Sequence, residues 1–254
     1  MKLNHPIKKI KLSVKAISKI GNWWDYFLDY FGAKQGKVIY NIEGKKIITR
    51  AKTIDKSIFT EVALEELYFP KIKEFNFSSN PIIIDVGAHI GLFSILIDSK
   101  VKNSQIHAIE PNSENFNILK EQIILNSMKN ISAYRVALSD KKGKMKLYSG
   151  EHSARGSLLR EEGQGFEEVD TITMEDFFNI NKIEKCDLLK MDIEGGEYLV
   201  LYSTPKKIFD KISKIFLELH SIEGESKEKM MNFLKQMGFR LEYDADDFIY
   251  ALKD

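Results

Sequence analysis

Hydrophobic positions along this chain follow one kind of rhythm up to about residue 80 and another after it. Within residues 6–30, Ile7, Ile10, Val14, Ile17 and Trp24 recur at helical spacing with lysines between them, which predicts an amphipathic helix. The simplest expectation is that this helix docks on the rest of the chain through that stripe. Val38-Ile39-Tyr40-Asn41-Ile42 and Ile47-Ile48-Thr49 flank Glu43-Gly44 and predict a hairpin around a glycine turn. Residues 57–75 read as a helix that starts at an Asp55 or Ser57 cap and runs through Val62, Leu64, Leu67 and Phe69. Pro70 breaks or restarts it. Ser78-Ser79-Asn80-Pro81 is the clearest boundary in the chain.

Beyond Pro81 strands and helices alternate. Apolar runs predict strands at 82–86, 105–110, 132–138, 187–191 and 214–219. Helical patterns fall between them at 91–99, 113–126, 174–178, after Gly196, and at 226–237. Residues 143–173 hold short β-like pieces and glycines, including Gly156-Ser157-Leu158-Leu159. Two last strands, 239–243 and 248–252, are joined across residues 244–246 and read as an antiparallel edge hairpin. Continuously apolar strands are those of a parallel sheet covered on both faces. The pattern predicts an α/β fold: a doubly wound, mostly parallel sheet with an antiparallel C-terminal edge hairpin and an N-terminal helix and hairpin elaboration. Residues 1–80 form the elaboration and residues 81–254 the main domain.

Composition narrows the class. With 254 residues, 43% hydrophobic and 30% charged, the chain is an ordinary globular protein able to bury a full core. The single cysteine, Cys186, provides neither a disulfide framework nor zinc-ligand spacing, and favours a reducing, cytoplasmic setting. Residues 1–20 carry six lysines and no acid. That charge of +6 within an overall +1 leaves −5 for the remainder. An acidic body argues against a nucleic-acid partner. No apolar run is long enough to span a membrane, and the N-terminus lacks the uninterrupted apolar core of a secretory signal. The basic helix offers a second expectation: peripheral contact with the inner face of a membrane through residues 1–30, with Trp23 and Trp24 near the interface.

The chemistry centres on Asp85-Val86-Gly87-Ala88-His89-Ile90-Gly91, between a buried strand and a helix. Ligands of open parallel sheets bind beyond the strand C-termini, and the two glycines let the backbone turn sharply and approach a ligand closely. The G-x-x-x-G spacing is not the pyrophosphate cradle of dinucleotide binders. The next strand ends in Glu110, close to 20 residues after the loop, where a carboxylate can grip both hydroxyls of a ribose. A ribose-binding acid without a pyrophosphate loop favours an adenosyl ligand.

The set Asp85–Ser94, Glu110-Pro111-Asn112, Ala137-Leu138-Ser139-Asp140, Leu189–Glu197 and Glu218-Leu219-His220, in this order, resembles the motifs of FkbM-type methyltransferases over roughly residues 55–252. The resemblance implies a class I, Rossmann-like methyltransferase fold, S-adenosylmethionine as methyl donor, and usually O-methylation of a sugar or polyketide hydroxyl. By that likeness Asp85, Gly87 and Gly91 line the methionine part of the cofactor, with His89 in the same loop. Glu110 takes the ribose, with Asn112 beside it. Ala137 and Leu138 border the adenine, and Asp140 reaches toward its amine. Asp192, Glu194, Glu218 and His220 then converge where the acceptor hydroxyl belongs.

His220 or Asp192 is the expected general base, with Glu194 beside them. A second reading places a divalent cation, Mg²⁺, on Asp192, Glu218 and His220, where it would acidify the hydroxyl. His152 and Arg155 are candidate contacts to a polar or phosphorylated acceptor, and Ser157 a candidate for shaping its site. The expected acceptor is a sugar in a glycan or a glycosylated precursor. The alternatives are a lipid, a small-metabolite or a nitrogen acceptor, or a non-enzymatic scaffold that keeps a relic fold.

Overall fold

The computed structural model describes residues 6–72, 75–149, 156–157, 165–243 and 248–253. His152, Arg155 and the 244–246 connection lie outside the described residues, and of Ser157 only the strand backbone is described.

The N-terminal part holds α1 (Pro6–Lys19), α2 (Trp23–Tyr30), a hairpin of β1 (Lys37–Ile42) and β2 (Lys45–Arg50), then α3 (Asp55–Phe59) and α4 (Phe69–Ile72). The helix expected over 6–30 is two helices. Ile20 leaves the helix to bridge to Ile42, and the Gly21 amide donates to the Asn41 carbonyl at 2.7 Å. Asn22 secures the break, accepting from the Asn41 amide and donating to the Ile39 carbonyl. The docking expectation also needs correction. α1 packs through Leu12 and Ala16, with Ile20 just past its end continuing that face, while Ile10, Val14 and Ile17 stay exposed. The helix expected over 57–75 is broken as well. α3 runs into a π-helical turn, Thr60–Leu64, and then Glu66 adopts a left-handed φ of 58°. Pro70 sits in the first turn of α4, where its missing N–H costs nothing.

The main sheet has seven strands, in the order β12 (Arg240–Tyr243), β13 (Phe248–Leu252), β11 (Lys214–Glu218), β10 (Leu188–Met191), β3 (Ile82–Val86), β4 (Gln105–Ile109), β5 (Ile131–Tyr134). β13 runs opposite to the other six strands, pairing antiparallel with both β11 and β12. The chain leaves β3 toward β4 and β5, then returns to β10 on the other side, so strand order reverses between β3 and β10. That switch point opens a crevice at the strand C-termini.

The strand expected over 132–138 is in fact two strands in two sheets. β5 ends at Tyr134. β6 (Ala137–Leu138) pairs instead with β9 (Phe166–Ile172), in a four-stranded sheet completed by β7 (Gly143–Ser149) and β8 (Gly156–Ser157). The covering helices are α5 (Leu92–Lys100), α6 (Ser113–Leu125), α7 (Met174–Ile180), α8 (Glu197–Ser203), α9 (Lys206–Phe209) and α10 (Lys227–Gln236).

One apolar cluster runs from Ile20, Tyr40 and Phe59 through Phe93 and Leu119 to Phe216, so the N-terminal elements share a core with α5 and α6. Polar contacts fix their register. The buried Gln122 accepts from the Ile48 amide at 3.0 Å and donates to the Ile90 carbonyl. It thereby ties the hairpin to the loop after β3. Asn126 exchanges two hydrogen bonds with the backbone of Lys46, extending the hairpin edge onto α6.

Candidate active site

A cavity of about 390 Å³ occupies the switch point, within the ~300–1,000 Å³ of small-molecule sites. Two loops form its floor. The loop after β3 contains Gly87 at φ 75°, and a Cβ there would stand 1.8 Å from the Asp192 carbonyl oxygen in the loop after β10. Gly87 is therefore required twice, by its left-handed φ and by the approach of the second loop. The Asp192 amide donates to the Val86 carbonyl at 3.1 Å, sealing the junction.

Beneath it lies Lys190, 3% exposed in the otherwise apolar β10 and directly opposite Asp85 on β3. Its ammonium lies 3.2 Å from Asp85, donates to the Gly87 carbonyl at 2.9 Å and stands 3.9 Å from Asp192. Burial opposes that charge, but Asp85 and Asp192 outweigh it and hold the ammonium protonated beyond its ordinary range. Asp85 is fully buried and also accepts from Ser94 at 2.7 Å. It does not line the cavity. Its carboxylate anchors Lys190 and α5 from behind the wall, which corrects its expected cofactor contact. Gly91 likewise faces Leu119, where a Cβ would meet the side chain at 2.4 Å. Asp140 is exposed and bonded to Ser139. Neither touches the cavity.

Glu110, His89, Asn112, Ala137 and Leu138 do line it. Glu110 sits at the end of β4, 6% exposed, with one carboxylate oxygen accepting from the His89 amide at 2.8 Å and the other from the Asn112 amide at 2.9 Å. The Asn115 side chain is a further donor to it, and a carboxylate so placed can also accept from the hydroxyls of a vicinal diol. Burial pushes the Glu110 carboxyl up to about 7, against those backbone bonds. Asn112 caps α6 by accepting from the Asn115 amide through its side-chain oxygen, so its side-chain NH2 points away from the helix end. His89, at φ 51°, has two buried ring nitrogens without a hydrogen-bond partner. Burial drives it down to about 4, so its ring is neutral. Its Nε2 stands 3.6 Å from the fully buried Asp55 carboxylate, just beyond hydrogen-bond range.

At the other end Asp192, Glu194, Glu218 and His220 come together as expected, joined by Tyr68 from the N-terminal part and by Glu197. The Tyr68 hydroxyl lies 3.2 Å from Glu218 and 3.5 Å from Asp192. His220 Nδ1 is 3.2 Å from the fully buried Glu197, and its Nε2 is 3.5 Å from Glu194 and 4.0 Å from Asp192. Burial disfavours the imidazolium, but Glu197, then Glu194 and Asp192, outweigh it and raise His220 to about 9. An imidazolium has no lone pair with which to take a proton. Burial, reinforced by Asp192, lifts Glu218 to about 7. Among the described residues, the ligand atoms that lie mutually within 4.8 Å are those of Asp192, Glu197 and His220, a set that includes Glu197 and not the expected Glu218.

Tyr68, Lys190 and Glu197 were not among the residues expected from sequence. Lys190 had a readable signal, a lone cation in a buried apolar strand, which demands a carboxylate partner. Glu197 closes the Leu189–Glu197 motif but carried no assigned role, and Tyr68 had no signal.

The cavity lining carries five acids, Glu61, Glu110, Asp192, Glu194 and Glu218, against Lys190 and His220. An excess of acid suits a cationic ligand and repels a phosphate-rich one. A seven-stranded sheet with one antiparallel strand, a buried acid just after β4 and an acidic end beside the β10 loop define a class I S-adenosylmethionine-dependent methyltransferase. The family described as Methyltransferase FkbM domain matches residues 85–241, and the chain belongs to that family.

Relatives agree. The chain is 26% identical to Methyltransferase sdnD of Sordaria araneosa over 235 residues, covering 78% of this chain and 87% of that protein. It is 28% identical over 199 residues to the 31-O-demethyl-FK506 methyltransferase FkbM of Streptomyces tacrolimicus, covering 65% of this chain and 75% of that one. In fold it is similar to the precorrin-6y C5,15-methyltransferase of Geobacter metallireducens, with a TM-score of 0.50 and 13% identity over 84% of this chain and 97% of the other.

Proposed function

We propose that this methyltransferase O-methylates a hydroxyl of a sugar in a glycan or glycosylated precursor, with S-adenosylmethionine gripped by Glu110, Asn112 and His89 and bordered by Ala137 and Leu138. The observation that carries the reading is the acidic end of the cavity, where Asp192, Glu194, Glu218 and the Tyr68 hydroxyl offer several acceptors to a polyhydroxylated, uncharged molecule. One relative's name describes O-demethyl-FK506 methylation, which supports oxygen as the accepting atom.

When bound, S-adenosylmethionine supplies a methyl group on a positively charged sulfur. The chain's own contribution is placement and proton removal, of which placement is the larger, up to ~7–11 kcal/mol in favourable cases. Asp192 acts as the base and accepts the hydroxyl proton as the new C–O bond forms and the methyl's bond to the donor sulfur breaks, its electron pair staying on sulfur. His220, held as an imidazolium, is a positioning residue that fixes the Asp192 and Glu194 carboxylates. Lys190 sets a positive charge 3.9 Å from the Asp192 carboxylate. Glu218 and Tyr68 orient the acceptor. A cytoplasmic place of action fits the lone, buried Cys186.

The test is transfer of a labelled methyl group to a panel of neutral glycans, amino compounds and lipids. Transfer to the glycans that falls about 10²-fold in Asp192→Asn supports the reading. Transfer confined to amines or lipids, or undiminished in Asp192→Asn, overturns it.

A second reading, favoured by the proximity of Asp192, Glu197 and His220, puts a divalent cation there in place of the His220 proton. Activity abolished by EDTA and restored by Mg²⁺ would establish it. Activity indifferent to EDTA retires it.

A further inference from the structure

Residues 10–39 hold eight of the thirteen large hydrophobic side chains that stand exposed among the described residues: Ile10, Val14, Ile17, Trp24, Leu28, Tyr30, Phe31 and Ile39. Isolated exposed apolar residues need no explanation, but such a concentration does. On α1 the arrangement has three sectors. Leu12, Ala16 and Ile20 face the core. Ile10, Val14 and Ile17, spaced four and three residues apart, form a second stripe exposed at 64%, 61% and 49%. Lys11 and Lys15, one residue after Ile10 and Val14, form the next sector round the helix and are exposed too. α1 carries no acid. In α2, Trp24 is 66% exposed with its ring stacked on Trp23 at 3.7 Å, and Phe31, just beyond the helix, is 76% exposed.

We infer that α1 and α2 are a docking surface for an anionic lipid bilayer. An apolar stripe bordered by lysines, with tryptophan beside it, matches what an interfacial helix presents: side chains enter the acyl boundary and the lysine stems reach back to the phosphates. Charge distribution selects the occupant. The first 20 residues hold +6 and the remainder −5, so an anionic surface attracts this end and repels the rest, which orients the molecule. A second copy of the chain would bring lysine against lysine across the same face. Among the described residues no helix is long and apolar enough to cross a membrane, so the attachment is peripheral.

The docking bears on the cavity as well. α1 packs on the Thr60–Leu64 turn, and Lys19 pairs with Glu66 at 3.1 Å. Glu61 and Val62 of that turn line the cavity. A docked α1 therefore holds one cavity wall within a helix width of the lipid surface.

The experiment is flotation of the full chain with vesicles of phosphatidylcholine, with and without phosphatidylglycerol, at low and high salt. The expected result is binding that requires phosphatidylglycerol and weakens with salt. Lys11→Ala/Lys15→Ala should reduce it about 25-fold, at roughly fivefold per lysine. Ile10→Asp/Val14→Asp/Ile17→Asp should abolish it. All three positions are exposed, and unchanged S-adenosylhomocysteine binding in the variants shows that the fold and donor site are intact. Failure to float on anionic vesicles, binding indifferent to anionic lipid, or a light-scattering dimer that the Ile10→Asp variant dissociates would overturn the inference. The last outcome would make the face a contact between copies.

Discussion

Replacing Glu110 probes the donor half of the site. Its two oxygens already accept from the His89 and Asn112 amides, with the Asn115 side chain a further donor, and a bound ribose would donate both hydroxyls to them. Two charge-assisted hydrogen bonds at about 1.5–3 kcal/mol each amount to about 3–6 kcal/mol of affinity. At about 1.4 kcal/mol per tenfold, Glu110→Ala should bind S-adenosylhomocysteine about 10²- to 10⁴-fold more weakly. The alanine also strands two amides, so Glu110→Gln, which keeps an acceptor oxygen, should fall between the two.

The protonation state sharpens the test. Burial lifts Glu110 to about 7, and the ligand needs the ionised form. Wild-type affinity should therefore be full above about pH 8 and drop about tenfold per unit below pH 7, while Glu110→Gln is flat. Calorimetric titration across pH measures both. A folded Glu110→Ala protein that binds within about threefold of wild type, a span far below the two hydrogen bonds at stake, refutes the assignment. So does a wild-type affinity that ignores pH.

Three further outcomes are expected. Gly87→Ala, which places a methyl 1.8 Å from the Asp192 carbonyl at a φ of 75°, should lower stability by about 3 kcal/mol or more and abolish S-adenosylhomocysteine binding, read by thermal melting and titration. Lys190→Met leaves Asp85 and its neighbours without their buried cation and should cost about 3–5 kcal/mol in denaturant unfolding, with Lys190→Met/Asp85→Leu recovering part of it. His220 is raised from its ordinary 6.5 to about 9, so its stabilising contribution is complete below pH 6.5 and lost as pH rises through 9. The melting temperature of the wild type should fall across that window more steeply than that of His220→Asn.

Much of the main sheet was legible because its strands are uninterrupted apolar runs separated by helical periods, as at 82–86 and 214–219. The misreadings share a cause: contacts distant in sequence decided the local structure. The 6–30 helix breaks because Ile20 bridges to Ile42. The 132–138 run divides because Ala137 pairs with Thr171 in another sheet. Apolar spacing on α1 was taken for a docking stripe, yet the face that packs uses the small Ala16 between Leu12 and Ile20, and the larger stripe is left outside. In the site, Glu110 was readable from its distance to the loop. Asp85 had the right position but the opposite orientation, turned inward to Lys190. Tyr68 reaches Glu218 across 150 residues of sequence, and no local pattern signals that contact.

A crystal structure with S-adenosylhomocysteine tests the central claim most directly. The account predicts adenosine between Glu110 and the Ala137-Leu138 edge, its ribose on the Glu110 carboxylate, and the sulfur beside Asp192, facing the Glu218–His220 end of the cavity. A ribose held elsewhere, or a sulfur turned away from the Asp192 cluster, would contradict it.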